Sequence, residues 1–479
     1  MQLTITVILY FLIIFYIGYL GYKSTKSMSD YILGGRKLNS IVTALGVGAS
    51  DMSGFLMLGI PGAAYAVGLQ SLWIPIGLCI GAYLNWKLVA HRLHEFTIKA
   101  NNALTIPTYL EARFSQNHRL LRLVTAVIIL IFFTLYSSSS FVSCALLFQT
   151  SFGISYKMAL FISVPVIVIY AGIGGFLAVN WVDVFQGTLM LFAMLFLPLV
   201  TLFSIGGTGS LIQQIGPGYF DIYHDVSIVS LVSSLSWGLG YFGQPHLLVR
   251  FMAAKNKTEI KKARWICMTW MILCLVGAFL VGFLGRVYFA GAPLANPEAV
   301  FMSLSKALAN PWIEGVLIAA ALSSVMSTVA ALLILASSAF AEDIYHFTRK
   351  KEATPNELIW IGRLAVFVVS VIAVYFAWDD TKNSVLSLVG HAWAGLGSSF
   401  GPIILLSLFW KRMTARGAIS GMVVGTATIF IWMWLSSIYK EYEIFQLYEL
   451  LPGFIANLTA IILVSLCDRS HNYSQKFFD

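Results

Sequence analysis

Charged side chains are scarce in this sequence. Lys, Arg, Asp and Glu make up 11% of the 479 residues, whereas hydrophobic residues make up 58%. A soluble protein carries roughly 25% charged residues, so this chain could not cover its folded surface with solvated groups. The mean hydropathy of +0.82 points to the same conclusion. The composition predicts an all-α protein that crosses a membrane many times.

Cysteines are also few, and the five that occur do not have the spacing of metal ligands. We expect them to be small buried residues. No constellation of nucleophile, acid and base is visible, so the sequence does not favour an enzyme. The first apolar stretch, 3–22, has neither the basic start nor the small-residue cleavage site of a signal peptide, and we expect a retained helix there.

Long polar stretches are missing too, so we expect a single transmembrane domain with no soluble domain appended. Apolar segments long enough to cross a bilayer predict thirteen spans, numbered here in chain order. Their approximate intervals are 3–22, 38–62, 69–90, 120–149, 157–175, 181–205, 228–252, 264–290, 312–340, 358–378, 384–409, 416–438 and 446–466.

The 30 Lys and Arg side chains are distributed unevenly over the connections between these spans. Five of them lie in one alternate set of connections or beside it: Lys157, Arg286, Lys306, Lys382 and Lys440. The other connections and the C-terminal tail hold the rest. Because basic residues stay on the cytoplasmic side, this predicts an external N-terminus and a cytoplasmic C-terminus. The positive charge then faces anionic lipid rather than nucleic acid.

Span 2 is interrupted by the residues Ala49-Ser50-Asp51-Met52-Ser53-Gly54. A carboxylate at membrane depth costs a few kcal/mol even on lenient insertion scales, about 2.5–3.5 kcal/mol for Asp at a helix centre. Asp51 therefore needs a partner or a water-filled cavity, and its default interpretation is an ion or substrate site.

Span 7 is interrupted as well, by the string Trp237-Gly238-Leu239-Gly240-Tyr241-Phe242-Gly243-Gln244-Pro245. Each glycine weakens a helix by roughly 1 kcal/mol and the proline by about 3 kcal/mol. Spans 2 and 7 are five apart, as in an inverted repeat with one half at about 38–205 and the other at about 228–409. Span 1 precedes this repeat, and two further helices at about 416–466 follow it. The alternative is that the glycines only allow close helix packing.

Span 9 carries a third polar element, Ser323-Ser324-Val325-Met326-Ser327-Thr328. Sodium prefers hard oxygen ligands, and hydroxyls together with unwound carbonyls could supply them without a further full charge. The alternative is that these hydroxyls only bond back to carbonyls of their own helix.

Five strings carry a resemblance to a known family. They are Tyr31-Ile32-Leu33-Gly34-Gly35-Arg36, Val42-Thr43-Ala44-Leu45, the span 2 break with Gly48, Gly174-Gly175-Phe176-Leu177-Ala178-Val179, and the span 7 break with Arg250-Phe251-Met252-Ala253-Ala254. In them the chain resembles the sodium/solute symporter family from about residue 20 to 465. The two break strings point to the proline-transporting branch, and the resemblance implies a leucine-transporter-like fold of five plus five helices.

The resemblance also implies a sodium site. Its ligands would be the carbonyls of Ala49, Met52 and Ser324 and the hydroxyls of Ser327 and Thr328. Family members often have alanine where this chain has Ser324, a change that a carbonyl ligand survives. Asp51 matches an acid that sodium-coupled uptake requires, and we interpret it as raising local sodium affinity.

For the organic substrate, the resemblance implies L-proline bound at the second half of span 2 and the break of span 7. Ser53 and Gly54 begin a half-helix whose free N–H groups suit a carboxylate. Aromatic faces suit the pyrrolidine ring and its ammonium group. The implied residues are Ser53, Gly54, Tyr136, Trp237, Tyr241 and Pro245. Tyr136 fits a packing role about equally well.

Two further residues match positions that the family links to coupling. Asp183, which we place near the start of span 6, matches an aspartate associated with sodium release. A helix N-cap or a first-turn acid is an equal alternative for it. Arg36 lies in the first basic connection, where topology alone could explain it.

The predicted function is sodium-driven import of L-proline by alternating access across the bacterial cytoplasmic membrane, with no protein partner evident. Alternatives are a symporter for another small amino or organic acid, a transporter-like sensor and a channel. The chain leaves little room after span 13 for a signalling domain, and paired broken helices suit a gated site better than an open pore.

Overall fold

The computed structural model describes residues 1–24, 28–114, 119–206, 215–346, 354–379 and 384–468. Within these ranges the chain is helical, and extended pairing is limited to one isolated bridge between Leu38 and Ala254. Some basic residues used to predict topology lie outside the described ranges: Lys26, Arg349, Lys350, Lys351, Lys382, Arg469 and Lys476.

Eighteen α-helices are described. In chain order they are α1 (Gln2–Ser24), α2 (Met28–Leu33), α3 (Ser40–Asp51), α4 (Ile60–Val67), α5 (Trp73–Leu84), α6 (His91–Lys99), α7 (Ile106–Arg113), α8 (Arg119–Phe152), α9 (Tyr156–Ile205), α10 (Ile228–Ser236), α11 (Pro245–Ala253), α12 (Lys257–Tyr288), α13 (Val300–Leu308), α14 (Pro311–Ser338), α15 (Pro355–Phe376), α16 (Val385–Phe409), α17 (Ala415–Ile438) and α18 (Leu450–Cys467). Wider π-helical turns precede α4 (Phe55–Gly59), join α5 to α6 (Asn85–Ala90) and follow α14 (Ala339–His346).

Ten helices among the described residues are long and apolar enough to cross a membrane, and the protein is therefore a multi-pass membrane protein. Two further apolar helices are shorter, Tyr156–Ile169 and Ile228–Gly243. The predicted span 2 is divided into α3 and α4, so neither half reaches the length of a full span. The number thirteen accordingly stays a prediction.

Side-chain contacts sort the connections between helices into two groups. One group includes the pairs Arg36–Met252, Arg92–Leu408, Arg122–Asp343 and Arg416–Asp468. The other includes Tyr65–Leu294, Trp73–Ile222, Tyr156–Ala377, Ser233–Tyr448 and Glu298–Val385. The first group joins the connections that are rich in Lys and Arg. We call this side of the protein the basic face and the other the opposite face.

Helix α14 forms the centre of the protein. Its most apolar stretch is completely buried, and it packs against α1, α8 and α9. Asn310 begins the helix by accepting hydrogen bonds from the backbone N–H groups of Trp312 and Ile313, both at 3.1 Å. The helix that the sequence marked for its hydroxyls therefore passes through the middle of the fold.

Glycine allows α5 to approach the segment after α10 closely. A Cβ atom at Gly81 would lie 2.0 Å from the carbonyl oxygen of Gly238, and one at Gly238 would lie 2.2 Å from that of Gly77. No residue with a side chain fits at such separations. The glycines of the span 7 string thus have a packing role in addition to weakening the helix.

Candidate transport site

The α3–α4 break interrupts the helix where the sequence predicts it. Helix α3 ends at Asp51, and Met52 has the non-helical angles φ −81° and ψ 77°. The N–H of Ser53 donates to the carbonyl of Asp51 at 3.0 Å, and the wide turn that leads into α4 begins at Phe55. Carbonyl groups near the end of α3 are thereby released from the regular helical pattern.

Two hydroxyls of α14 contact these carbonyl groups. Ser327 Oγ donates to the carbonyl oxygen of Ala49 at 2.7 Å, and Thr328 Oγ1 donates to that of Ser50 at 2.9 Å. Both hydroxyls also lie 3.2 Å from the carbonyl oxygen of Ser324. Bonding back to their own helix is therefore only part of their role, because the shorter contacts are to α3.

This group of oxygens suits an alkali cation. The structure brings Ala49, Ser324, Ser327 and Thr328 together, with Met52 buried at the break. Ser324 Oγ itself donates to the carbonyl of Ala321 at 2.8 Å, whereas the carbonyl of Ser324 lies 3.2 Å from both hydroxyls. Neutral hard oxygens match the ligand preference of hard cations rather than that of transition metals. In the described part of the chain, no group of three or more His, Cys, Asp or Glu residues forms an alternative metal site.

The α10–α11 break is longer and has a different lining. Residues Trp237–Gly243 form a 3-10 helix, Gln244 is extended, and Pro245 is the first residue of α11. Trp393 of α16 donates its Nε1–H to the carbonyl of Trp237 at 2.9 Å. Gln244 Nε2 donates to the carbonyls of Gly240 and Trp393, both at 3.2 Å. Helix α16 therefore supplies partners for the backbone that this break releases.

Asp51 joins the two breaks. Its side chain is 2% exposed, and its Oδ2 accepts a hydrogen bond from Tyr241 Oη at 2.5 Å. The second carboxylate oxygen, Oδ1, is buried and makes no hydrogen bond among the described residues. Tyr241 also stands edge-on to Trp393, with ring centroids 5.0 Å apart. Asp51 was expected to need a partner, and that partner is Tyr241, a residue that the resemblance implies in proline binding.

The other residues predicted to bind proline are buried near the two breaks. Ser53 Oγ and Tyr136 Oη are buried, and neither has a hydrogen-bond partner among the described residues. Gly54 packs on Ser143 of α8, whose Oγ lies 2.3 Å from where a Cβ atom would be. These unpaired polar atoms lie beside a helix start, where a ligand carboxylate could use them.

Trp237 lies at the side of the break that faces α16 and α18. Its ring stacks on Tyr448, with centroids 5.0 Å apart and planes 15° apart, and it is 8% exposed. Tyr448 Oη donates to the carbonyl of Gly390 at 2.6 Å. Pro245, by contrast, lines a small cavity of about 20 Å³ together with Phe133 and Asp343. Trp237 and Pro245 therefore lie at different ends of the predicted substrate region.

The alternative of an N-cap or first-turn acid at Asp183 is wrong. The continuous helical stretch begins at Gly175, whose φ of 66° kinks α9, so Asp183 lies well inside a helix. Its side chain is completely buried and pairs with Arg250 of α11 at 2.9 Å. Arg250 also donates from Nε to Asn180 Oδ1 at 3.2 Å. This ion pair joins the end of the second broken helix to α9.

Arg36 has a structural role beyond topology. It donates to the carbonyls of Met252, near the end of α11, at 2.6 Å and of Ala103 at 2.9 Å. Burial lowers the pKa of its guanidinium group to about 10. Arg36 thus satisfies carbonyl groups at the end of α11 and joins three segments of the basic face.

The sequence interpretation missed several residues around the breaks. Trp393 and Gln244 hold the second break, and Ser143 contacts the first. His246 of α11 is completely buried, and neither ring nitrogen has a hydrogen-bond partner among the described residues. Gln244 stood within the break string itself. Trp393 had no such signal, because an aromatic residue in an apolar helix is ordinarily part of the core.

The paired broken helices, the oxygen group between α3 and α14 and the all-helical membrane architecture define a secondary transporter. The family model for the sodium:solute symporter family matches residues 31–425. The chain therefore belongs to the sodium:solute symporter family, a family of transporters rather than enzymes.

Several relatives are similar over nearly their whole length. The sodium/proline symporter of Escherichia coli is 46% identical, and the alignment covers 95% of this chain and 91% of that protein. The high-affinity proline transporter PutP of Bacillus subtilis is 47% identical, with 94% and 95% covered. The osmoregulated proline transporter OpuE of the same organism is 44% identical, with 97% and 94% covered.

Solved structures support the fold. A substrate-bound, outward-open sodium-coupled sialic acid symporter superposes with a TM-score of 0.80 at 19% identity, and 98% of each chain is covered. Mhp1, a nucleobase-cation-symport-1 family transporter in a closed conformation, gives a TM-score of 0.59 at 12% identity, with 95% and 99% covered. The chain has the fold of these cation-coupled symporters.

Proposed function

We propose that this protein imports L-proline together with sodium by alternating access. The observation that carries the proposal is the hydrogen bond between Asp51 and Tyr241, which joins an oxygen-lined break to an aromatic one. Relatives 40–47% identical over most of the chain are sodium/proline symporters or proline transporters. The geometry provides for two substrates, and the relatives indicate which two.

Sodium binds between α3 and α14 in this proposal. Its ligands are the carbonyls of Ala49, Met52 and Ser324 and the hydroxyls of Ser327 and Thr328. Both hydroxyls now donate to α3 carbonyls, and their hydrogens turn away when their lone pairs face the ion. Asp51 adds negative charge close by without being a ligand. Sodium thereby fixes the end of α3 against α14.

Proline binds beside the two breaks. Its carboxylate lies at the half-helix start formed by Ser53 and Gly54, within reach of Tyr136. The pyrrolidine ring and its ammonium group lie against Trp237 and Tyr241, and Pro245 begins the half-helix that moves on closure. Since these side chains are buried in this conformation, access requires the surrounding helices to move apart.

Coupling follows from what the two sites share. Sodium and proline bind on either side of residues 49–54, so ordering of this segment by one favours binding of the other. Such a coupling free energy is reciprocal, and typical values are about 1–3 kcal/mol. The Asp183–Arg250 pair joins α9 to α11, and Arg36 binds the end of α11. Both contribute to coupling by restraining how α11 moves.

We also propose thirteen spans with an external N-terminus, a cytoplasmic C-terminus and a location in the bacterial cytoplasmic membrane. The two groups of contacting connections support this arrangement, because the basic face collects the Lys and Arg residues. Spans 2–6 and 7–11 form the inverted repeat, with the first helix and the last two outside it.

Proline uptake by proteoliposomes, measured with and without an inward sodium gradient, tests the function. The proposal predicts accumulation only with the gradient and no competition from an unrelated organic acid. Uptake that ignores sodium would overturn it. If another small amino or organic acid competes with proline and is itself accumulated, the chain is a symporter for that substrate. Proline binding without any accumulation would favour the transporter-like sensor.

A further inference from the structure

A second polar cavity lies on the basic face, away from the two breaks. Its volume is about 440 Å³, and it is bordered by the turn between α5 and α6, the start of α12 and the end of α16. Four side chains of fixed positive charge line it: Lys87, Arg92, Lys261 and Arg264. His91 adds an ionisable group, and no acidic residue is part of the lining.

These charges are largely unneutralised. Lys87, Lys261 and Arg264 form no ion pair with an acid of the described chain. The two acids of the adjoining helices are already engaged. Glu95 pairs with Lys257 at 2.9 Å, and Glu259 accepts the backbone N–H of Ser40 at 2.6 Å. The cavity therefore carries an excess of positive charge that the protein itself does not balance.

Both arginines of the cavity lie over aromatic rings. Arg264 lies over the rings of Tyr83 and Trp265, and its Nε is buried without a hydrogen-bond partner in the described protein. Arg92 donates to the carbonyl of Leu408 at 3.2 Å and lies 4.0 Å above the ring of Phe409. A buried donor without a partner is destabilising, so an acceptor from outside the protein would complement Arg264.

The rest of the lining is apolar, and part of it is exposed. Trp86 forms part of the wall, and Leu88 and Phe409 are 37% and 42% exposed on a protein that lies in a membrane. A free anion would use the charges but not this surface. A lipid uses both, because its phosphate lies at the membrane surface and its acyl chains extend along the apolar side.

We propose that this cavity binds the headgroup of an anionic glycerophospholipid. Topology alone accounts for basic residues on one face, but it requires neither their convergence on one cavity nor a buried, unpaired guanidinium nitrogen. Basic pockets between transmembrane helices are a recognised way of binding anionic headgroups. The lipid lies between three helices that all approach the transport site.

These three helices connect the cavity to the breaks. Gly81 of α5 packs on Gly238, Trp270 of α12 packs on Gly48 of α3, and Trp393 of α16 donates to Trp237. A lipid held between α5, α12 and α16 therefore contacts elements that border both breaks.

The test uses the purified full chain in detergent and native mass spectrometry. Dioleoylphosphatidylglycerol and dioleoylphosphatidylcholine are titrated separately onto the delipidated protein. The proposal predicts that phosphatidylglycerol is retained and phosphatidylcholine is not. Lys87→Gln combined with Lys261→Gln should weaken phosphatidylglycerol binding by at least about tenfold, because each basic residue near a membrane surface contributes appreciably.

A control variant combines Lys23→Gln with Arg412→Gln. Both residues are exposed, lie in the basic connections and do not line the cavity, so the total charge change is the same. This variant should bind phosphatidylglycerol like the parent protein. Equal loss in both variants would mean that only overall charge matters and would overturn the proposal.

A final arm separates lipid from free anion. Inorganic phosphate at millimolar concentration is added to the complex with phosphatidylglycerol. Retention of the lipid supports a site that uses both headgroup and acyl chain. Displacement of the lipid by phosphate, or equal retention of phosphatidylcholine, would overturn the assignment to an anionic lipid. Thermal unfolding of each lipid-free variant verifies that the substitutions leave the fold intact.

Discussion

The two broken helices differ in length and lining, although each is the opening element of one half of the proposed repeat. The α3–α4 break is short, and hydroxyls of α14 contact its carbonyl groups at 2.7 and 2.9 Å. The α10–α11 break is a seven-residue 3-10 segment held by an indole and an amide side chain. Small hard oxygens surround one break, and large aromatic rings surround the other.

This difference teaches how one fold handles two unlike substrates. A cation needs several oxygens at short range, which a single interrupted turn beside a hydroxyl-bearing helix supplies. An organic ring needs a longer opening and flat apolar walls. The hydrogen bond between Asp51 and Tyr241 joins the two environments, and we propose that it couples them. Four variants, one of them a double substitution, test how far the separation extends.

The largest effect on the sodium requirement is expected from removing the two hydroxyl groups of α14 that contact α3. Ser327→Ala combined with Thr328→Ala removes two proposed sodium ligands and both contacts to α3. We expect the sodium concentration for half-maximal proline uptake to rise by roughly 100-fold, equivalent to about 2.7 kcal/mol. Proline affinity at saturating sodium should change little.

Ser338→Ala is the matched control for this pair. Ser338 lies on the same helix, is buried, and donates only to the carbonyl of Ile334 at 3.0 Å among its described contacts. It should leave the sodium dependence unchanged. A rise in the sodium requirement as large as that of the double variant would assign the effect to helix packing instead of ion ligands.

The next largest effect, on proline affinity, is expected from removing an aromatic ring at the α10–α11 break. Trp237→Ala removes the ring that stacks on Tyr448, and truncating an aromatic anchor in a binding site typically costs about 2 kcal/mol or more. Proline affinity, measured by equilibrium binding at saturating sodium, should fall by roughly 30-fold. Sodium binding should persist.

Trp434→Ala provides the control, because Trp434 is 61% exposed and lies on α17, outside the proposed repeat. Its proline affinity should match that of the parent protein. Equal loss of sodium and proline binding in Trp237→Ala would contradict separate sites and would indicate that the aromatic ring maintains the fold.

Asp51→Asn tests the charge that lies between the two environments. The amide keeps the size of the side chain and an oxygen that can accept from Tyr241, but it removes the negative charge. We expect the sodium requirement to rise by at least about tenfold, or about 1.4 kcal/mol, because an opposite charge nearby favours the cation. Sodium titration of proline uptake provides the measurement. An unchanged sodium dependence would remove Asp51 from the mechanism.

The smallest effect is expected for Tyr241→Phe. The ring and its contact with Trp393 remain, while the hydrogen bond to Asp51 is lost. A buried carboxylate that loses one hydrogen bond should alter the sodium requirement by roughly three- to tenfold. In a double-mutant cycle with Asp51→Asn, the two effects should be non-additive. Simple addition would mean that this hydrogen bond does not carry the coupling.

The sequence was sufficient to predict features that follow directly from the chemistry of neighbouring residues. The glycines and proline of span 7 and the polar string of span 2 have to interrupt a helix, and both breaks are present. The hydroxyls of Ser327 and Thr328 contact carbonyls of α3, while their role as sodium ligands stays a prediction.

Contacts between residues that are far apart in the chain could not be predicted from the sequence. Asp183 looked like the start of a helix, but the structure places it inside one because the helix begins at Gly175 and Arg250 provides its counter-charge. Trp393 and Tyr448 are ordinary aromatic residues until the fold brings them to Trp237. Asp51 was expected to serve sodium and Tyr241 proline, and their mutual hydrogen bond was not predicted.

The central claim is that sodium and proline tighten each other through the residues that the two breaks share. The most direct test is proline binding to the purified protein by calorimetry over a range of sodium concentrations, with sodium affinity measured over a range of proline concentrations. We expect both affinities to increase by the same factor, about 5- to 150-fold, and we expect Asp51→Asn combined with Tyr241→Phe to abolish most of this increase. Proline affinity that does not depend on sodium would contradict the account.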